Sequence, residues 1–227
     1  MATLTWHGHA TCSIVTDDGT RLVIDPFFGD NPATELGVDE VEADYILVTH
    51  GHFDHFADCI PLAKRTGAMV ISTFEIVAFC QEQGIENGHG MNIGGGYDFP
   101  FGRVKMTPAL HTGSVAGDTS GMHTTDCGGF LLTLGDRRLY HAGDTALIMD
   151  LQLLRGQVDI ALLPIGDNFT MGPDDAARAV DFIQPDVVVP IHYSTWPVIE
   201  QDPEHFRSLV GEAARVEVLQ PGGTLDF

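Results

Sequence analysis

Apolar and polar positions alternate near the N-terminus in a way that predicts three short strands. These are Leu4 to His7, Cys12 to Thr16 and Arg21 to Ile24, the last two joined by a turn at Asp17-Asp18-Gly19-Thr20. The pattern then changes period. Tyr45 to Thr49 is a β-branched, apolar run suited to a buried strand, and after it Phe56, Cys59, Ile60 and Ala63 recur at helical spacing, predicting a helix over 55–65. The same order, strand then loop then helix, is read at Met69 to Ser72 with Phe74 to Gln83, and at Val158 to Leu163 with Pro173 to Ile183. It is read once more at Val187 to Pro190 with Pro203 to Ala214. Arg103 to Ala109, Gly129 to Leu134 and Arg138 to His141 read as further strands, with Gly135-Asp136 as a turn. Gly94-Gly95-Gly96 and the long span 112–125 read as loops. With no linker, repeat or low-complexity tract between these segments, the expectation is an α/β (α+β) chain forming a single domain over residues 1–227.

Composition narrows the function classes. Of 227 residues 44% are apolar, enough for a sizeable core. Eleven Lys and Arg stand against 32 Asp and Glu, for a formal net charge of −21, and such a field repels nucleic-acid backbones and anionic membrane surfaces. Expected partners are therefore a small-molecule substrate, with no long nucleic acid and no membrane; a homo-oligomer stays open. No apolar run approaches the roughly 18 residues of a membrane span, and the first basic residue is Arg21, so a cytoplasmic location is expected. Cys12, Cys59, Cys80 and Cys127 are scattered without a C-x-x-C pair and read as reduced, buried thiols.

The chemistry is concentrated at Thr49-His50-Gly51-His52-Phe53-Asp54-His55, where three imidazoles and a carboxylate fall within six consecutive positions just after a buried strand. Alternate residues of an extended loop share a face, so His50 and His52 can turn to one ion while Asp54 and His55 turn to a neighbour. Imidazole suits zinc, iron and manganese, and the carboxylate adds the charge that a second dication needs. A solvated polar loop is the alternative reading, and it does not account for four ligand types at this spacing. His111, Asp144 and His192 each follow a predicted strand end, although singly each also reads as an edge histidine or a Gly-Asp turn.

The ordered set His50-x-His52-x-Asp54-His55, His111, Asp144 within Ala142-Gly143-Asp144-Thr145, and His192 resembles the metallo-β-lactamase superfamily. More narrowly, Trp6-x-Gly8-His9, Ile24-Asp25-Pro26, the stretch Pro164 to Pro173, and Pro190-Ile191-His192-Tyr193 resemble a branch of small metal-dependent hydrolases related to the ascorbate-6-phosphate lactonases. The resemblance runs from about residue 3 to the C-terminus. It implies a four-layer αββα sandwich with two divalent metal ions. His50, His52 and His111 would hold the first ion, Asp54, His55 and His192 the second, and Asp144 would bridge them. Zinc is the first expectation, with manganese, iron and nickel compatible.

Several residues are expected around that centre. Asp25 ends an apolar strand before Pro26 and is placed to accept a ligand imidazole N–H, fixing its tautomer. His9, Asp167, Asn168 and Tyr193 are candidates for the substrate pocket, with Phe169 and Met171 as apolar lining; ordinary turn and cap chemistry is the competing account of Asp167 and Asn168. His7 and His141 read as structural histidines, and His123 lies in the long loop. The leading function is a metal-dependent hydrolase in which a binuclear centre activates water toward a small ester, lactone or phosphodiester, with Asp54 and Asp144 as the catalytic carboxylates. Two other classes compete: a non-catalytic metal-binding or interaction protein on the same fold, and a diiron redox protein, whose relatives carry a carboxylate where this chain has His52.

Overall fold

A computed structural model describes all 227 residues, Met1 to Phe227. The chain divides into two compact units that interleave in sequence: Met1–Gly95 with Thr112–Asp126 and Gln220–Phe227, and Gly96–His111 with Cys127–Leu219. Each is built on a seven-stranded sheet.

In the first unit β1 (Thr3–Trp6), β2 (Cys12–Val15) and β3 (Arg21–Ile24) form an antiparallel meander. The Asp-Gly turn between the last two is closed by Thr16 and Thr20, with Gly19 at φ +86°, where only glycine is relaxed. β4 (Tyr45–Leu47), β5 (Met69–Thr73) and β6 (Gly88–Met91) continue in parallel from β3, each reached through a crossover. The helical stretch expected over 55–65 is two helices, α1 (Phe53–Phe56) and α2 (Cys59–Thr66). The break falls at Ala57-Asp58, because the Asp58 carboxylate accepts the backbone N–H groups of Phe28 (2.5 Å) and Gly29 (3.0 Å). α3 (Phe74–Glu82) follows β5, and Val23, Ile46 and Val70 from the strands join Leu62, Ile76 and Phe79 from the helices in one core. At about 25 cal/mol per Å², each such side chain contributes roughly 1.5–3 kcal/mol on burial.

In the second unit β7 (Gly96–Phe99), β8 (Gly102–Pro108), β9 (Gly128–Leu134) and β10 (Arg137–His141) are antiparallel. β11 (Ile160–Pro164), β12 (Val187–Ile191) and the two-residue β13 (Arg215–Val216) add in parallel. β11 and β12 are buried at every position, which explains why Ile-Ala-Leu-Leu-Pro and Val-Val-Val-Pro-Ile run without alternation. α4 (Pro173–Ile183) starts with Pro173 and two aspartates in its first turn, both favourable at a helix N-terminus. α5 (Pro203–Val210) starts where Asp202 accepts the Glu204 N–H, and it stops four residues short of the expected Ala214. The last strand, β14 (Thr224–Asp226), returns to the first unit beside β1. β6, β7, β13 and β14 are not in the strand pattern read from the sequence: they are glycine-rich or two to four residues long, too short for a period to show. No helix is long and apolar enough to cross a membrane.

Candidate metal centre

In the first unit the candidate residues gather at the ends of β1, β3 and β4. Asp25, one residue beyond β3, is fully buried and takes a left-handed φ of +50°. That bend turns its carboxylate onto the loop after β4, where it accepts the Thr49 N–H (2.7 Å), the Thr49 hydroxyl (2.7 Å) and the His55 Nδ1–H (2.8 Å). Two tautomers follow. His55 has its proton on Nδ1, so its Nε2 carries the lone pair. The Thr49 hydroxyl has already donated its one proton to Asp25, so the His50 Nδ1 at 3.0 Å is the donor to Thr49, and the His50 Nε2 also carries a lone pair. The two rings, both buried, lie 4.1 Å apart between centroids.

The neighbouring donors converge. His50 Nε2 is 3.0 Å from His52 Nδ1. Asp54 Oδ2 is 3.0 Å from His9 Nε2 and 3.9 Å from His55 Nε2, and the ligand atoms of His9, Asp54 and His55 all lie within 4.8 Å of one another. His9 thus stands beside Asp54 and His55, closer to the ligand cluster than a pocket wall would require. It is fully buried, at φ +54°, with its carbonyl held by the Trp6 indole N–H. Gly51 lets the loop pass close to the 112–126 segment: its carbonyl accepts the Ala116 N–H at 2.7 Å, and a Cβ there would lie 2.6 Å from the Ser114 carbonyl oxygen.

In the second unit Asp144, His111 and His192 come together. Asp144 Oδ2 is 3.1 Å from His192 Nε2 and 3.5 Å from His111 Nε2. His192 follows β12 at φ +55°, with Gly166 packed so closely that a Cβ would come within 2.2 Å of the His192 carbonyl oxygen. Thr145 ties the loops together, its hydroxyl accepting the Leu110 N–H and its carbonyl the Met171 N–H. Asp167 and Asn168 form the turn before α4. Both are exposed and left-handed (φ +59° and +45°), and Asp167 exchanges backbone hydrogen bonds with Met171 and Thr170. Phe169 is exposed while Met171 is buried in the second unit. Tyr193 is largely buried, and burial followed by the charge of Glu204 pushes its hydroxyl up to about 12, leaving it a neutral donor at physiological pH.

Seven non-glycine residues have left-handed φ, and five of them are site candidates: His9, Asp25, Asp167, Asn168 and His192. Non-glycine residues with positive φ are uncommon and concentrate at functional sites. No single-residue signal in the sequence announces them.

The donor chemistry fits divalent cations. Ligand atoms bound at about 2.0–2.2 Å to one ion are spaced roughly 3.0–3.5 Å from one another, and the separations of 3.0, 3.1 and 3.5 Å within the two units fall in that interval. Two further histidines stand apart. His7 is held neutral, burial pushing it down to about 4, with Ser13 at 2.8 Å. His123 is clipped to Asp118 in its own loop and faces Glu82 of α3.

A family model described as beta-lactamase superfamily domain matches residues 20–193. A UPF0173 metal-dependent hydrolase of Heliobacterium modesticaldum is 49% identical over 235 residues, covering 99% of this chain and 97% of the relative. One from Shouchella clausii is 46% identical, with 99% of each chain covered. Among solved structures, Igni18, a metallo hydrolase from the hyperthermophilic archaeon Ignicoccus hospitalis, superposes with a TM-score of 0.89 at 32% identity, covering 100% of this chain and 99% of its own. The fold is that of the metallo-β-lactamase superfamily, with two β-sheets and their helices. Within it, the chain belongs to the UPF0173 family of metal-dependent hydrolases.

Proposed function

We propose that the chain hydrolyses a small ester, lactone or phosphodiester at a centre of two divalent cations. His50, His52 and His111 would hold one ion, Asp54, His55 and His192 the other, and Asp144 both. The observation that carries this reading is the hydrogen bonding of two adjacent buried imidazoles: Asp25 sits on the Nδ1 of His55 and Thr49 on the Nδ1 of His50, which leaves the Nε2 of each ring for a cation. When bound, two such ions supply a water acidified toward neutral pH and a Lewis acid for the scissile group. The chain's own residues do the rest. Asp25 and Thr49 fix the rings, the His9–Asp54 pair can pass a proton to the leaving oxygen, and the Tyr193 hydroxyl can donate to developing negative charge. Zinc leads among metals that such ligands take, with manganese, iron and nickel compatible. The reading places the protein in the cytoplasm with a small molecule as partner.

Elemental analysis of wild type and His192→Ala tests it. About two ions per chain in wild type, falling toward one in the variant, is expected, together with loss of hydrolytic turnover in Asp144→Ala. A metal-free wild type after reconstitution, or full turnover by Asp144→Ala, overturns it.

A further inference from the structure

The residues that join β1 to β2, His7 to Thr11, form a turn with two left-handed members, Gly8 at φ +93° and His9 at φ +54°. Glycine is required at the first, where a Cβ would lie 2.6 Å from the Cβ of Ala33. The turn itself does not favour histidine at the second, because asparagine and glycine adopt that conformation more readily. The surrounding structure holds His9 there all the same. Its carbonyl accepts the Trp6 indole N–H at 2.9 Å. The Thr11 hydroxyl donates to the Asp25 carbonyl at 2.8 Å, with the Phe27 carbonyl at 3.2 Å, and so ties the turn to the segment after β3. The His9 ring is fully buried and lies edge to face with those of Phe27 (centroids 5.8 Å apart, interplanar angle 69°) and His55 (5.6 Å, 64°).

The reason for a histidine lies in what the ring touches. Its Nε2 stands 3.0 Å from Oδ2 of Asp54. An ionised carboxylate only accepts, so the imidazole N–H donates. This reverses the arrangement at His50 and His55, where Thr49 and Asp25 sit on Nδ1 and leave Nε2 for a cation. His9 thus serves Asp54 rather than an ion. Asp54 is the second residue of the four-residue α1, where a carboxylate also has the helix's own N–H groups within reach, and its side chain is 13% exposed to water. Its Oδ2 lies 3.9 Å from the His55 Nε2. A buried donor on Oδ2 selects the side-chain rotamer that keeps the carboxylate beside His55, so that this ordering is complete before an ion arrives.

We propose, on the metal-centre reading given above, that His9 is a positioning residue: its Nε2–H holds the Asp54 carboxylate beside His55 in the orientation that binds a divalent cation. The same contact accounts for histidine in a left-handed turn. Asparagine would relax the backbone, but its amide nitrogen ends two bonds short of the imidazole Nε2 and does not reach Asp54.

Two substitutions separate reach from shape. Glutamine places an amide N–H close to the position of the imidazole Nε2, whereas asparagine relaxes the turn and gives up the contact. The full chain, stripped with EDTA, is titrated with zinc and with manganese by calorimetry, and is unfolded in urea without metal. His9→Asn should weaken one of the two ions by roughly 10–100-fold, the usual effect of losing the partner that orients a ligand, and His9→Gln should recover most of that affinity. Metal-free stability should not follow this order, His9→Asn being at least as stable as His9→Gln. In an Asp54→Asn background, where no carboxylate is left to hold, His9→Asn should change the affinity by less than about twofold. Binding of both ions by His9→Asn as tightly as by wild type overturns the proposal, as does equal loss in His9→Gln and His9→Asn. So does affinity that falls in step with metal-free stability, or a His9→Asn effect undiminished by Asp54→Asn. Each of these leaves the metal-centre reading standing. A wild-type chain that binds neither cation overturns that reading, and the role of His9 with it.

Discussion

Replacing Asp25 by Asn should separate folding from metal binding. The carboxylate is fully buried and accepts three hydrogen bonds of 2.7–2.8 Å, from the Thr49 N–H, the Thr49 hydroxyl and the His55 Nδ1–H. Asn keeps the shape and one acceptor oxygen. Oδ1 can still take the Thr49 N–H, but the atom facing His55 becomes an NH2 group, a donor where an acceptor stood. His55 answers by moving its proton from Nδ1 to Nε2, so that Nδ1 accepts from the amide, and the lone pair that would bind metal is lost. Changing the partner that orients a ligand imidazole typically costs 10–100-fold in metal affinity, about 1.4–2.7 kcal/mol. The hydrogen-bond count is conserved, so stability without metal should fall by only about 1 kcal/mol. Asp25→Ala, by contrast, leaves three buried donors without an acceptor and should cost several kcal/mol. The assay is metal titration by calorimetry beside urea unfolding in EDTA. The tautomer argument fails if Asp25→Asn binds both ions as tightly as wild type, or if its metal-free stability falls as far as that of Asp25→Ala.

Two further outcomes follow from the packing of Gly51 and the burial of His7. Gly51→Ala places a Cβ 2.6 Å from the Ser114 carbonyl oxygen and 2.7 Å from the Val115 Cα; relieving it moves backbone by several tenths of an ångström, so we expect about 1–3 kcal/mol of lost stability in EDTA and weaker metal binding, and an unchanged melting temperature and affinity would contradict this. His7 is pushed down to about 4 from 6.5 by burial, so the unfolded chain binds the proton more readily. Stability is therefore lost as pH falls from 6.5 and the loss saturates below about 4, reaching about 2.5 kcal/mol at pH 4.5. Metal-free wild type and His7→Gln, unfolded in urea at pH 7 and 4.5, should differ by that amount in their pH response, and identical responses would remove His7 as the cause.

Much of the fold was legible because long buried strands and amphipathic helices announce their period. β11, β12, α3 and α4 fall within a residue or two of where apolar runs, Pro173 and helical spacing put them. The helix over 55–65 was misread as continuous because its interruption comes from Asp58 binding the backbone of Phe28 and Gly29, thirty residues away. β6, β7, β13 and β14 are held by their neighbours' hydrogen bonds, and Gly88-His89-Gly90-Met91 has no strand signal of its own.

The chemical class of the centre is set by amino-acid order alone, since three imidazoles and one carboxylate within positions 50–55 carry their ligand chemistry wherever the loop goes. The formal net charge of −21 is likewise a property of the sequence alone. Which nitrogen of His50 and His55 carries the lone pair, and that His9 stands against Asp54, follow only from the tertiary structure. Those properties depend on distances between residues far apart in the chain and on left-handed turns at Asp25, His9 and His192. A linear pattern holds no record of either until strands from different parts of the chain are hydrogen-bonded into one sheet.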